Sequence, residues 1–442
     1  MGINSLKIAN WNAPVSITPL VHFRILFGIL MLVSELRFLL KGWVDEQYVT
    51  PTFHFKYYGF EWVQYPGETI MYMLFGLMLL ACLGIIFGFA YKIAAWLFFI
   101  IFTYIELIDV TNYLNHYYFV SLVAFWMAIV PANKAASIDV KLGWVKPSKV
   151  VAFWHIGIIK FQLFLVYFYA GLAKLNYDWL INAQPLKIWL SAKSHLPIIG
   201  DLLTKNWLHY AFSWFGALYD LFIPFLLVNK RTVKVAFVFV VVFHLMTAVL
   251  FQIGMFPYIM IVATTIFFSE KWHDTLFYKW HGKIDANEYH HKVFSWQKTL
   301  LVAYVGWQIL FPFRFLAYPG SLFWTEQGYR FSWRVMLMEK AGYTTFYVQD
   351  GSTENRITID NMRYLTRYQE KMMATQPDLI LQFSHFLAEE FKNQGITQPK
   401  IYVESYVTLN GRTSQQFIDF NVNLAAEKEG WHHKKWVLPV NL

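Results

Sequence analysis

Nine stretches of nearly unbroken apolar residues follow one another along the chain, at 19–40, 69–90, 93–109, 117–131, 150–173, 207–228, 235–250, 257–268 and 299–316. A helix that crosses a bilayer upright needs ~20 apolar residues. Several of these runs are shorter, which predicts tilted or re-entrant pieces and about eight or nine membrane helices in all. Thr18-Pro19 marks the start of the first helix, with proline at its first helical position. Arg24, Glu35 and Arg37 lie inside that run. Charges in a span turn toward protein or water rather than lipid.

Past residue 320 the pattern changes. GYTTFYVQDGSTENRITID reads as two strands around a DGSTEN turn. Residues 361–393 have helical apolar spacing, broken at Gln376-Pro377 into two helices. KIYVESYVTLNGRTSQQFIDF is a strand pair around Asn410-Gly411, a strong hairpin signal. The pattern thus predicts a polytopic α-helical membrane domain over residues 1–320 and a small α+β domain over 321–442.

Composition agrees. The chain is 57% apolar and only 15% charged, where a soluble domain carries roughly 25% charge. The first run is too long for a signal-peptide core and is followed by further spans. Cys82 is the only cysteine, so an intrachain disulfide and a CxxC redox pair are both excluded. No nucleic-acid module, P-loop, GxSxG or dinucleotide-binding glycine pattern is present.

The net charge of +9 matters through its placement. Loop 132–149 carries Lys134, Lys141, Lys146 and Lys149; loop 229–234 carries Lys230, Arg231 and Lys234; loop 269–298 carries Lys271, Lys279, Lys283, Lys292 and Lys298. Loops 110–116 and 251–256 have no lysine or arginine. The positive-inside rule makes the three basic loops and the N-terminus cytoplasmic. The C-terminal domain is then extracytoplasmic, and Asn115-His116, Lys174 and His244 fall at one depth near the outer face.

Lys174 ends the run YFYAGLAKLNYDWL. Such a lysine is either an interfacial anchor that snorkels to headgroups or a base. A free lysine, pKa about 10.4, is charged at neutral pH, and an apolar surround favours the neutral amine. Tyr167, Tyr169, Leu172, Leu175 and Trp179 supply such a surround, and the next acid along the chain is Asp178. Asp109, Asn112, Asn115 and His116 crowd one short loop, which suits either a polar turn or a site that holds a polar substrate. His244 is an intramembrane histidine, structural or functional. The aromatic and methionine side chains of IGMFPYIM fit a flat lipophilic ring as well as they fit packing. His273, His281, His290 and His291 lack the repeats and paired carboxylates of a di-iron site and read as interfacial; no metal site is expected.

LIDVTNYLNHYYF, YFYAGLAKLNYDWL, FHLMTAVLFQIGMFPYIM, FWTEQGYRFSWRVMLMEK and PKIYVESYVTLNGRTSQQFIDF occur in this order. Taken together, over residues 15–440, the sequence resembles the vitamin K-dependent gamma-glutamyl carboxylase family, with its horizontally transferred transmembrane domain. The resemblance implies γ-carboxylation of peptide glutamate. Reduced vitamin K or menaquinol would be the cofactor, with O2 and CO2 as co-substrates and hydroquinone epoxidation as the linked reaction. It implies that Lys174 deprotonates the hydroquinone, that Asn115 and His116 form the active-site pair, and that Tyr167, His244, Phe256 and Met260 surround the naphthoquinone. Tyr329 and Trp333 fall in the segment that handles glutamate. Animal members have two adjacent lysines where this chain has Ala173-Lys174, and Lys174 matches the second. Animal members also continue past the position of residue 442, so this chain is expected to be a short, bacterial-type member in an inner membrane that does not depend on propeptide recognition. Cys82 alone cannot reduce the epoxide, which implies a separate quinone reductase. The other reading is a transport or lipophile-binding protein that keeps the fold without the chemistry, with Arg24, Glu35 and Arg37 in a polar path.

Overall fold

The computed structural model describes residues 11–277, 295–351 and 355–441. Among them, all nine apolar runs form helices. These are α1 (Thr18–Leu40), α2 (Glu68–Phe87), α3 (Tyr91–Ile108), α4 (Asn115–Ile129), α5 (Phe153–Lys174), α6 (Asn206–Val228), α7 (Val233–Leu250), α8 (Phe256–Thr264) and, after α9 (Glu270–Phe277), α10 (Ser295–Leu310). The helices α2, α3, α5, α6, α7 and α10, the last with its continuation to Ala317, are long and apolar enough to cross a membrane. The 23-residue α1 matches them in length but carries three charges. At ~1.5 Å per residue, the 15-residue α4 falls short of the ~30 Å hydrocarbon core. The protein is a polytopic helical membrane protein with a small sheet-containing C-terminal region.

The two arginines of α1 each have a partner in the fold. Arg24 donates to the carbonyl oxygens of Ala132, Ala135 and Ala136, capping the turn after α4. Arg37 lies over the Trp43 ring at 4.6 Å. They serve separate parts of the fold. His273, expected at the interface, is instead fully buried on α9, where its Nδ1 meets His22 Nδ1 at 2.7 Å. His281, His290 and His291 lie outside the described residues. A two-stranded pairing, β1 (Pro14–Ser16) with β2 (Val150–Ala152), ties the N-terminal segment to the start of α5.

The contact between α5 and α6 positions the site. A Cβ on Gly171 would stand 2.4 Å from the backbone nitrogen of Leu221. Only glycine lets the two backbones come that close. Lys174 follows Gly171 by three residues and shares its face of α5. Asp220 precedes Leu221 on α6. The close approach at Gly171 therefore brings the lysine to the aspartate.

The C-terminal region carries an antiparallel sheet of β3 (Lys340–Asp350), β4 (Arg356–Thr358), β5 (Pro399–Leu409) and β6 (Gln415–Gln416), in the order β4-β3-β5-β6. β3 and β5 pair along their full length, from Lys340↔Leu409 to Asp350↔Pro399. Ile401, Val403, Ser405, Val407 and Leu409 alternate inward. With α11 (Arg367–Met373) and α12 (Pro377–Asn393), they bury a core around Phe346 and Phe383. The predicted break at Gln376-Pro377 separates the two helices. Residues 352–354, the tip of the DGSTEN turn, lie outside the described residues.

Two features join this region to the helices. Phe55, Tyr57 and Val110, from loops between membrane helices, belong to the C-terminal core. The Asn410-Gly411 turn, with φ +52° and +76°, delivers Arg412 and Asn410 to Asp178, just beyond α5. Arg412 Nη2 and Nη1 donate to the two carboxylate oxygens at 2.6 and 2.8 Å, and Asn410 Nδ2 donates to Oδ2 at 2.8 Å. Burial raises the pKa of the Asp178 carboxyl, but the Arg412 and Asn410 hydrogen bonds outweigh it and hold it below the ordinary value. The clamp is thus complete above the ordinary aspartate range of about 3.9 and is lost as pH falls through the lower folded value. Arg412→Ala is expected to remove about 1.5–3 kcal/mol at pH 7. The difference in melting temperature between the variant and the parent protein should shrink in acid.

Candidate functional site

Lys174 is buried, with 5% of its surface exposed, so it does not snorkel. Its Nζ donates to Asp220 Oδ2 at 2.7 Å and to Ala170 O at 3.3 Å, and lies 5.3 Å from the Trp179 ring centre. Asp220 is equally buried. The partner of the lysine is therefore the aspartate of the neighbouring helix, not Asp178, which is taken by Arg412. A buried ion pair is costly to assemble and more costly to break on one side. The fold retains it where α5 and α6 press together.

The pair faces a cavity of about 70 Å³, several times the space one water needs. Tyr167, His244, Phe256 and Met260 line it, together with Lys174 and Asp220. Tyr167 Oη and His244 Nε2 are hydrogen-bonded at 2.9 Å. His244 Nδ1 is buried with no hydrogen-bond partner among the described residues. Val335 and Met336, from the segment before β3, also line the cavity. Trp189, another lining residue, donates Nε1 to Glu339 Oε2 at 2.6 Å. Residues near the start of the C-terminal region thereby help enclose a cavity built mainly by α5, α6, α7 and α8.

His116 and Asn115 sit one layer away. The ring of Phe256 contacts both histidines, its centre 5.8 Å from that of His116 and 5.5 Å from that of His244. Asn115 accepts from Tyr113 Oη at 3.0 Å and donates Nδ2 to Arg334 O at 2.9 Å. Trp333 is fully buried and stacks on Tyr118, centres 4.9 Å apart. Tyr329 packs edge-on against Phe323 at 6.4 Å. Neither Tyr329 nor Trp333 lines the cavity; their neighbours Val335 and Met336 do. Of the residues expected at the site, the structure brings Lys174, Tyr167, His244, Phe256 and Met260 together. It packs His116 at a tilt against Phe256 and gives Asn115 the task of holding the segment after Trp333.

The HTTM domain family matches residues 12–272. The family described as vitamin K-dependent gamma-carboxylase, lumenal domain, matches residues 294–442. The two matches are consecutive, and the first alone covers more than half of the chain. The chain belongs to the vitamin K-dependent gamma-carboxylase family. No solved structure matches it.

The family's description names vitamin K, which carries a flat, lipophilic ring. The cavity residues suit that group: aromatic and methionine walls, a lysine–aspartate pair on one part of the lining, and a buried imidazole nitrogen still lacking a partner. Asp220 was overlooked in the sequence because it sits inside an apolar run, although an intramembrane carboxylate is itself a signal. If the pair is integral to the helix contact, Lys174→Met and Asp220→Leu should each destabilise the protein by about 3–5 kcal/mol. The double variant should recover most of that loss, as read by melting temperatures in a double-mutant cycle.

Proposed function

We propose that this chain uses a reduced vitamin K or menaquinol to γ-carboxylate glutamate in a peptide, with its cavity toward the extracytoplasmic face. The observation that carries this reading is the buried Lys174–Asp220 pair on the wall of an aromatic cavity that also holds the unpartnered His244 Nδ1. When bound, the reduced quinone supplies, on oxygenation to its epoxide, a base stronger than any side chain, which takes the γ-proton of glutamate before CO2 adds.

Lys174 and Asp220 handle the first proton. An ion-paired ammonium has no lone pair to offer. A proton shift across the 2.7 Å hydrogen bond to Asp220 frees the amine without changing net charge. Lys174 Nζ can then take a hydroxyl proton while Asp220 holds its own. Tyr167 orients His244 through Nε2, leaving Nδ1 for the second hydroxyl. Phe256 and Met260 form the apolar wall that excludes water from the ring, and His116 packs against Phe256.

The lysine and arginine bias of the loops supports an extracytoplasmic C-terminal domain. The peptide would approach from that side, and a separate reductase would return the epoxide to the quinol.

Purified protein given vitamin K hydroquinone, O2, labelled bicarbonate and a glutamyl peptide should form epoxide and fix label. Lys174→Ala should lower both by about 100-fold or more, the scale of a lost proton-transfer group. Tight quinone binding with neither product in the parent protein would identify a lipophile-binding protein instead.

A further inference from the structure

The segment from Gly328 to Met336 is held in an unusual backbone. Phe331, Trp333 and Met336 all have positive φ, at +58°, +57° and +52°. For bulky side chains this region is disfavoured, and such strain persists only where the surroundings enforce it. Here the enforcing contacts are the stacking of Trp333 on Tyr118, the bond from Phe331 N to Tyr113 Oη at 2.7 Å, and the Asn115 bond to Arg334 O. Their joint result is to fix Arg334 beside the two residues that line the cavity.

The Arg334 side chain is left without an anion. Its guanidinium carbon lies 4.4 Å from the Phe315 ring centre, and its Nε is buried with no partner. Among the described residues, its guanidinium makes no hydrogen bond or ion pair. Neighbouring cations are all engaged. Arg330 is bound to Asp378 and Gln376, Lys340 pairs with Glu326 at 2.8 Å, and Arg314 donates to Phe311 O, Ser332 Oγ and Arg330 O. Arg314, within electrostatic range of Arg334, also lacks a carboxylate. Burial lowers the pKa of Arg334 only to about 10, so it stays charged at neutral pH. A charged, partly buried guanidinium stacked on one face and unpaired at its edge is a receptor for a planar oxyanion.

We propose that Arg334 anchors a carboxylate-binding site beside the quinol cavity, occupied by the glutamate side chain of the peptide substrate. This rests on the carboxylase reading. The side chain to be carboxylated carries one carboxylate and its product carries two, so the site needs a fixed cation that does not take part in the proton chemistry. Arginine meets that need because it stays protonated and binds carboxylate through two parallel bonds. The ion pair with Asp220 makes Lys174 unsuited to the same task.

The test separates binding from turnover. Labelled peptides that differ only as Glu or Gln are titrated onto full-length protein in nanodiscs of zwitterionic lipid, without hydroquinone. The parent protein should prefer Glu by about 10- to 100-fold, the scale of a charge-assisted hydrogen-bonded pair. Arg334→Gln should erase the preference, and Arg334→Lys should retain part of it. Lys174→Ala should keep it, which supports the site independently of the proposed base. Repeating the titration with anionic lipid distinguishes the other source of oxyanion: suppression of Glu binding by lipid phosphate while it persists in zwitterionic discs supports an oxyanion site. Equal binding of Glu and Gln peptides by the parent protein, or an unchanged preference in a folded Arg334→Gln variant with normal melting temperature, overturns the proposal.

Discussion

The buried ion pair between Lys174 and Asp220 is the constraint around which this protein is built. Two charges in the membrane part of a fold are tolerated only when each satisfies the other, and that requires two helix backbones to meet closely and in one register. Gly171 provides the approach. The cavity forms beside the contact because Tyr167, His244, Phe256 and Met260 project toward it from α5, α7 and α8. A lysine that looked equally suited to anchor the chain at the bilayer surface is thereby turned inward. Its chemistry belongs to the pair and not to the amine alone.

The C-terminal region completes this arrangement. Phe55, Tyr57 and Val110 are buried in its core, and Arg412 and Asn410 clamp it to Asp178 a few residues past Lys174. Val335 and Met336 come from the segment leading into its first long strand and line the cavity. The C-terminal region and the cavity-bearing helices thus share packing and hydrogen bonds. The strained residues of the Gly328–Met336 segment lie at their junction.

Much of the architecture was legible in the sequence because membrane helices and alternating strands announce themselves by period. The nine apolar runs, the break at Gln376-Pro377 and the Asn410-Gly411 hairpin all reappear at the expected positions. Side-chain pairing across distant segments has no such period. Asp220 was hidden by its apolar neighbours. Asp178 lay nearer to Lys174 along the chain, yet Arg412, 234 residues away, captured it. His273 read as an interfacial loop residue until α9 buried it against His22. Lys174 and His244 stand out by residue type and by the placement of loop charge, and the family resemblance adds Tyr167, Phe256 and Met260. Their convergence on one cavity, with His116 packed against Phe256, is a product of the fold.

The most direct measurement is a structure of the purified protein in lipid nanodiscs with reduced vitamin K, prepared without oxygen. The naphthoquinone ring should lie in the cavity against Phe256, with its hydroxyls toward Lys174–Asp220 and His244 Nδ1. A ring bound elsewhere, or a Lys174 side chain directed to the bilayer surface and separated from Asp220, would contradict that assignment.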